Sequence, residues 1–268
     1  MRITVTGARG QVGSELMDHL AARGHEVEAC TTELGELHTL APTDAVVHCA
    51  AYTDVDGCEL DPARAERVNA QGTRNVVAAT DAPVIYLSTD YVFDGLKTSP
   101  YVESDTPNPL GAYGRSKLAG EQAIDLGRGA VIRTSWVCGR NGRNIVGTVL
   151  RLLAEGAPLR FVDDQRGCPT FVGDLVRAVA TVVEEGRTGI WHTTNRDAMT
   201  WYEFARAVVE TAGADPDRVE PIATADLDPP RPAPRPANSV LASQRWAADE
   251  LLGGFREPLA ALVAELRA

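Results

Sequence analysis

Short runs of aliphatic and β-branched residues alternate with amphipathic segments through the first half of this 268-residue chain. The runs predict strands at Ile3–Thr6, Glu26–Cys30, Ala45–Cys49, Val84–Ser88 and Ala130–Thr134. The longer segments predict helices at Gln11–Ala22, Pro62–Thr80 and Tyr113–Asp125, with Gly24 as the stop after the first. Because strands that alternate with helices pair in parallel and take helices on both faces, the pattern predicts an α/β fold with a doubly wound parallel sheet.

A glycine-rich loop joins the first predicted strand to the first predicted helix. Gly7, Gly10 and Gly13 lie between a strand and a helix, which is the context that the dinucleotide-binding fingerprint requires. There the backbone approaches a pyrophosphate and helix N–H groups stabilise its charge. The loop therefore predicts a Rossmann-type NAD(P)-binding site. Cys30 ends the second strand, where such sites often carry an acid that binds the ribose 2′-hydroxyl. Without that carboxylate, and with Arg9 in the loop, the sequence predicts NADPH as the cofactor, with NADH as the alternative.

The alternation loosens beyond about Val137. Helices are predicted there at Ile145–Glu155, Asp174–Glu185, Trp201–Ala212 and Pro258–Arg267, and strands at Leu159–Val162 and Ile190–His192. We therefore expect residues 1–137 to form mainly the NAD(P)-binding domain and residues 138–268 mainly a smaller substrate-binding region, with some exchange of chain between the two. The proline-rich stretch 228–236 is compatible with a stiff linker or with a rigid binding loop.

The charge balance restricts the partners. Twenty-six Lys and Arg against 37 Asp and Glu give a net charge of −11, which repels phosphate backbones and anionic membranes. We therefore expect neither a nucleic-acid nor a membrane partner. The N-terminus enters a strand without a signal-peptide pattern and no run approaches the ~20 apolar residues of a membrane span, so a soluble cytoplasmic protein is expected. The five cysteines show no C-x-x-C pair, which favours reduced thiols over a zinc site.

A tyrosine and a lysine stand four residues apart in the third predicted helix. Tyr113 and Lys117 therefore project from one helix face, and a nearby ammonium favours ionisation of a phenol. Thr89 follows the strand Val84–Ser88, whose carboxyl end opens onto the ligand crevice of such a sheet. Together with the glycine loop, these residues predict the proton-transfer centre of a nicotinamide-dependent reductase.

At these residues the sequence resembles the extended short-chain dehydrogenases, and within them the dTDP-4-dehydrorhamnose reductase family. The resembling segments run in order over nearly the whole chain: TGARGQVG from Thr6, HCAAYTDVDGCE from His48, VNAQGT from Val68, STDYVFDG from Ser88, YGRSK from Tyr113, RTSWV from Arg133, DDQRGCPT from Asp163 and RPANSVL from Arg235.

The resemblance implies NAD(P)H-dependent reduction of the C4 ketone of a dTDP-4-keto-6-deoxy sugar, foremost dTDP-4-dehydrorhamnose to dTDP-L-rhamnose. Tyr113 would give the proton, Lys117 would hold the nicotinamide ribose and lower the tyrosine pKa, and Thr89 would tune the site. Further cofactor contacts are implied at Gly10, Gln11, Val12, Glu36, Leu37, Ala50, Ala51 and Tyr52, and substrate contacts at Thr89, Asp90 and Trp136. From the residues alone, Trp136 fits a sugar platform or the core, and Arg235 supplies a planar cation for a diphosphate.

Other functions stay open on the sequence. Nucleotide-sugar 4,6-dehydratases share the fold but carry a glutamate after Thr-Asp, where this chain has Tyr91, so a reductase is favoured. A regulatory subunit of methionine adenosyltransferase is a non-catalytic relative, against which the intact catalytic residues argue. Another dTDP-4-keto deoxysugar is the alternative substrate. Some relatives dimerise through magnesium; a homodimer stays an option, but no dense carboxylate cluster supports a Mg²⁺ site.

Overall fold

The computed structural model describes all 268 residues. The strands are β1 (Arg2–Thr6), β2 (Glu26–Cys30), β3 (Ala45–His48), β4 (Val84–Thr89), β5 (Ala130–Thr134), β6 (Val137–Cys138), β7 (Leu159–Val162), β8 (Arg166–Gly167), β9 (Thr170–Phe171), β10 (Gly189–His192), β11 (Met199–Thr200) and β12 (Val219–Ile222). The α-helices are α1 (Gln11–Ala22), α2 (Val55–Leu60), α3 (Pro62–Ala65), α4 (Gly72–Ala78), α5 (Ala112–Glu121), α6 (Ile145–Ala154), α7 (Val172–Glu184), α8 (Trp201–Thr211) and α9 (Arg256–Arg267).

A six-stranded parallel sheet forms the centre of the protein, in the order β10-β5-β4-β3-β1-β2. Strands β3, β4 and β5 are buried along their whole length, because α1 and α7 cover one face of the sheet and α4 packs against the other. A strand covered on both faces reads as a continuous apolar run, which is the pattern seen in the sequence. The predicted α/β, Rossmann-type doubly wound fold is confirmed.

The order of the strands places a crevice beside β1. From β1 the chain first moves outward to β2, then returns to place β3 on the other side of β1. The loops that follow β1 and β3 therefore diverge at the carboxyl edge of the sheet. Ligands of open α/β sheets bind at such a reversal point.

Most predicted elements lie within two residues of their observed bounds. The helix predicted to end at Asp125 ends at Glu121. The short strands β6, β8, β9, β11 and β12 were not predicted. The segment predicted as a single helix at Pro62–Thr80 consists of α3, a π-helical turn at Glu66–Gln71 and α4. Within the turn, Asn69 binds the Tyr52 backbone and the Ser116 hydroxyl, contacts that no local pattern shows. Helix α2 was not predicted; it begins where the side chain of Asp54 accepts from the Gly57 amide at 2.9 Å.

The second half of the chain builds its own core and also completes the first. Helices α6, α8 and α9 pack with β7 and β12 around Phe204 and Leu259. By contrast, α7 and β10 belong to the layers of the central sheet. The chain therefore passes between the two cores more than once, and the division near residue 137 stays a prediction. No helix of the protein has both the length and the apolar character that crossing a membrane requires.

Candidate active site

A cleft of about 560 Å³ opens at the carboxyl edge of β1, β3, β4 and β5. Eleven of the predicted site residues line it: Gly7, Gly10, Gln11, Val12, Gly13, Ala51, Thr89, Asp90, Tyr113, Lys117 and Trp136. They come from five separate stretches of the chain, which the sheet brings together. The cleft also includes Tyr91, Ser135, Arg143 and Trp201, which sequence reasoning did not select as ligand contacts.

The glycine loop has the shape that a dinucleotide needs. Gly7 has φ +66°, and a Cβ atom there would lie 2.6 Å from the Ala50 amide nitrogen. A Cβ at Gly13 would overlap the Gly7 carbonyl, so the loop and α1 touch through backbone alone. Gly10 precedes α1 and gives it no side-chain cap. The first amides of the helix are therefore available to a pyrophosphate, and these residues fit NAD(P).

Tyr113 and Lys117 extend from α5 into this cleft beside the end of β4. The Lys117 ammonium donates to the Leu87 carbonyl at 2.7 Å and lies 4.1 Å above the Tyr86 ring. Burial lowers the pKa of Lys117 to about 7, against the opposing charge of Glu121. The lysine is therefore held by β4, and it is only 3% exposed.

The phenol of Tyr113 differs from the sequence expectation. Burial raises its pKa, and the Thr89 hydroxyl opposes this shift only in part. The predicted lowering by Lys117 is not seen, because desolvation is the larger effect and the ammonium is bound to Leu87. Tyr113 therefore retains its proton at neutral pH, which is the form required of a proton donor.

Helix α5 is anchored behind the cleft by a buried ion pair. Glu121, one turn beyond Lys117, accepts from Arg133 at 3.0 Å and 2.7 Å and from the Ser88 hydroxyl at 2.5 Å. The pair joins α5 to β5, and Ser88 joins it to β4. These contacts fix the position of Lys117 on α5 relative to Thr89 at the end of β4.

Two tryptophans form one wall of the cleft. Trp136 is stacked on Trp201 with ring centroids 3.5 Å apart and planes at 10°. Trp136 is also the one non-glycine residue with positive φ, at 46°, a conformation that costs of order 1–3 kcal/mol. A bulky residue held there by its surroundings is typical of a functional position. Trp201 begins α8 behind a Thr200–Glu203 capping box, a motif that marks a helix start but not a ligand contact.

A second cavity of about 560 Å³ adjoins the cleft and shares Tyr91, Arg143 and Trp201 with it. Its lining includes four arginines: Arg143, Arg160, Arg231 and Arg235. A cationic cavity in a chain of net charge −11 suits a diphosphate. Arg143 follows β6 in a glycine-containing loop, and that setting is the signal by which it could have been found.

The proline-rich stretch forms part of this cavity. Arg235 binds Asp56 of α2 through two hydrogen bonds, at 3.0 Å and 2.8 Å, and Arg231 binds the same carboxylate at 3.1 Å. Although burial raises the pKa of Asp56, these bonds and the Ala233 amide outweigh it and hold the pKa at about 2. The stretch is therefore a docked loop, the second of the two sequence interpretations, and not a free linker.

Five predicted cofactor residues lie elsewhere. Arg9 and Glu36 are exposed, and Leu37 is buried in the core beside Val46. Ala50 abuts Gly7, and Tyr52 holds Asn69 through its backbone. Their roles as cofactor contacts stay predictions. No three His, Cys, Asp or Glu side chains converge in an arrangement that could hold a metal ion.

Comparisons with known proteins match the whole chain. The family model described as RmlD substrate binding domain covers residues 1–268. A dTDP-4-dehydrorhamnose reductase of Mycolicibacterium smegmatis is 44% identical over 98% of this chain and 85% of its own length. A dTDP-4-keto-6-deoxy-D-glucose reductase of Streptomyces niveus is 37% identical over 91% of this chain and 90% of its own length.

Solved structures agree in fold. The dTDP-4-dehydrorhamnose reductase of Bacillus anthracis in complex with NADP superposes with a TM-score of 0.88 at 30% identity, over 98% of this chain and 99% of that one. A dTDP-4-dehydrorhamnose reductase from Clostridium acetobutylicum superposes with a TM-score of 0.90 at 34% identity, over 100% of both chains.

Proposed function

Because the chain belongs to the RmlD substrate binding domain family, which includes the dTDP-4-dehydrorhamnose reductases, we propose that it reduces the C4 ketone of dTDP-4-dehydrorhamnose with NADPH, forming dTDP-L-rhamnose. One observation carries the proposal. Tyr113, Lys117 and Thr89 converge with the glycine loop in a single cleft, and an arginine-lined cavity continues from it. A dinucleotide, a reacting ketone and a diphosphate each have a fitting place there.

The chain's own groups account for the proton and the orientation. NADPH, when bound, supplies the hydride for the ketone carbon. The Tyr113 phenol donates its proton to the carbonyl oxygen as charge develops there. The Lys117 ammonium, held on the Leu87 carbonyl, would bind the nicotinamide ribose, and the Thr89 hydroxyl orients the phenol. The Trp136–Trp201 stack offers an apolar face for the sugar and keeps water from this side of the cleft.

The arginines of the second cavity position the nucleotide part of the substrate. Guanidinium groups bind diphosphate oxygens through pairs of parallel hydrogen bonds. Arg143, which is exposed and in no ion pair, and Arg231, which gives Asp56 one hydrogen bond only, have donors left for this. Arg235 is already bound to Asp56 and holds the loop that carries Arg231. A diphosphate bound in the second cavity would fix the sugar that it carries against the catalytic residues.

NADPH is favoured over NADH by the region around β2. Cys30 ends that strand without a carboxylate, and the exposed Arg9 in the glycine loop is free to approach a 2′-phosphate. The Bacillus anthracis relative binds NADP, which supports this choice. The cytoplasmic location and the homodimer of the sequence analysis stay predictions.

A second candidate is reduction of a different dTDP-4-keto-6-deoxy sugar. The Streptomyces niveus relative is named for dTDP-4-keto-6-deoxy-D-glucose, so the family includes more than one named substrate. Elimination of water is disfavoured, because Tyr91 stands in place of the dehydratase glutamate and burial raises its pKa. A purely regulatory role is disfavoured by the assembled catalytic residues.

The test is NADPH oxidation with a panel of dTDP-4-keto-6-deoxy sugars, with product configuration determined by NMR. Tyr113→Phe should lower kcat about 10²- to 10⁴-fold without changing NADPH affinity, since only the proton donor is removed. Tyr202→Phe makes the same chemical change on α8, outside the cleft lining, and should retain the wild-type rate. A Tyr113→Phe enzyme with near wild-type kcat, or a wild-type protein that oxidises NADPH with no member of the panel, would contradict the proposal.

A further inference from the structure

The carboxyl group of Asp90 is buried at the inner end of the cleft with only one of its oxygens paired. The residue is 2% exposed. Its Oδ1 accepts from the Thr89 hydroxyl at 3.0 Å, whereas Oδ2 is buried without a hydrogen-bond partner. A carboxylate oxygen that has neither water nor a donor is strongly disfavoured.

Asp90 differs in this respect from the other buried acid. Asp90 and Glu121 are the acidic residues of the buried set. Glu121 faces the Arg133 guanidinium at 2.7 Å, so its negative charge is compensated. Asp90 takes part in no ion pair of the protein. The two sites therefore favour different states of the same functional group: an ionised Glu121 and a neutral Asp90.

Three titratable groups on neighbouring elements lie close enough to feel the charge of Asp90, and all three are uncharged at neutral pH. They are the phenol of Tyr91 in the turn after β4, the phenol of Tyr113 on α5 and the thiol of Cys168 between β8 and β9. The hydroxyls of Thr89 and Ser239 complete the surroundings. Burial raises the pKa of Asp90 to about 7, and those two hydroxyls offset the shift only in part.

The two hydroxyls next to the Asp90 carboxyl each donate their hydrogen to an oxygen acceptor. The Thr89 oxygen accepts from the Tyr91 amide at 3.1 Å and donates its single proton to Oδ1 of Asp90. The Ser239 hydroxyl donates to the Arg166 carbonyl at 3.3 Å, which leaves its oxygen able to accept. The Ser239 hydrogen is thus directed at Arg166, and Oδ2 of Asp90 is left without a hydrogen-bond partner.

We infer that Asp90 works as a neutral carboxylic acid that positions Thr89 against the catalytic Tyr113, and that loss of its proton stops the reduction. Its bonds to Asp90 and to the Tyr91 amide fix the Thr89 hydroxyl beside the Tyr113 phenol, whose proton stays available to the ketone. Asp90 is thus a positioning residue, acting through Thr89. If Asp90 ionises, its negative charge lies against the phenol and opposes release of the phenolic proton.

The pH dependence follows from the sign of this shift. The neutral acid predominates below a pKa of about 7, so the active fraction falls as pH rises through that value. Each further pH unit should lower kcat about tenfold. Lys117, whose pKa is also about 7, would lose its charge over the same range, so the profile of the wild-type enzyme alone does not separate the two groups.

Asp90→Asn separates them, because the amide is neutral at every pH and similar in size. We would measure kcat from pH 5.5 to 9 at saturating NADPH and substrate for wild type, Asp90→Asn and Asp44→Asn. Asp44 lies before β3, at the opposite edge of the sheet, and is the matched control. Asp90→Asn should lower kcat up to about tenfold at pH 6 but remove the tenfold-per-unit fall that Asp44→Asn and wild type share.

Three results would overturn the inference. They are an unchanged alkaline fall in Asp90→Asn, a wild-type kcat that is constant from pH 6 to 9, and a loss above about 10³-fold in Asp90→Asn at pH 6, which would mean that the carboxylate is the working form. Because the inference rests on the proposed function, a readout without substrate is needed as well. The infrared C=O band of a protonated carboxyl should be present at pH 6, decrease by pH 9 and be absent in Asp90→Asn. A protein that reduces no substrate but shows this band would refute the function and retain the neutral acid; absence of the band at pH 6 would refute the neutral acid whatever the activity.

Discussion

Glu121→Gln should lower the free energy of unfolding by about 3–5 kcal/mol, because it leaves the Arg133 charge buried without a partner. The side chains of Arg133 and Glu121 are only 2% and 5% exposed. The amide retains one acceptor oxygen, but its NH₂ group would face a guanidinium nitrogen that now donates at 2.7 Å. The ring of Phe93, 5.2 Å from the guanidinium carbon, does not replace the lost charge.

That loss is a large part of the free energy of unfolding of a typical protein, which is about 5–15 kcal/mol. For a chain of this size it corresponds to a decrease of roughly 6–20 °C in Tm. The assay is urea denaturation followed by circular dichroism, together with calorimetry. Glu155→Gln is the control: it breaks the exposed pair with Arg151, 2.8 Å apart, and should cost less than about 0.5 kcal/mol.

A double variant tests the cause. Glu121→Leu combined with Arg133→Met removes both charges and should recover most of the loss, because a buried pair replaced by apolar groups is often close to neutral in stability. The reasoning fails if Glu121→Gln lies within about 1 kcal/mol of wild type, or if the double variant is less stable than the single one.

Three further predictions concern ligand binding. Gly13→Ala places a Cβ against the Gly7 carbonyl and should weaken NADPH binding at least about tenfold in a calorimetric titration; unchanged affinity would contradict the proposed approach of loop and pyrophosphate. Arg9→Ala should lower kcat/KM about tenfold with NADPH and leave it unchanged with NADH. An equal loss with both cofactors would refute a contact between Arg9 and the 2′-phosphate. Asp56→Asn weakens the hydrogen bonds that hold Arg235 and should raise substrate KM about tenfold with unchanged NADPH affinity. Hydrogen exchange at the Ala233 amide should become faster. Protection of that amide at the wild-type level would show that the loop does not depend on this carboxylate.

Much of the fold could be predicted because its signals are local. Buried parallel strands are continuous apolar runs, and β5 has the bounds that the sequence predicted. The exposed edge strand β2 has its predicted bounds as well. The glycine spacing reports the turn after β1, and the four-residue spacing of Tyr113 and Lys117 reports one face of α5. The π-turn at Glu66–Gln71 gave no such signal, because its contacts are to residues outside the helix.

The site beyond these motifs depends on contacts between distant residues. Asp56 and Arg235 are 179 positions apart, and no periodicity connects them. Trp136, after β5, and Trp201, at the start of α8, meet only in the folded chain, where their rings stack. Sequence reasoning expected Lys117 to lower the pKa of Tyr113, but burial, which the sequence does not report, acts in the opposite direction.

The sequence by itself determined the sheet, the dinucleotide loop and the identities of Tyr113, Lys117 and Thr89, because each depends on spacing within one or two elements. Only the tertiary structure decided the states of those groups. Asp90 and Glu121 are both acids in or beside predicted motifs, yet packing gives one an arginine at 2.7 Å and leaves the other without a cation. The charge of a buried group is set by what surrounds it in three dimensions, and those neighbours come from every part of the chain.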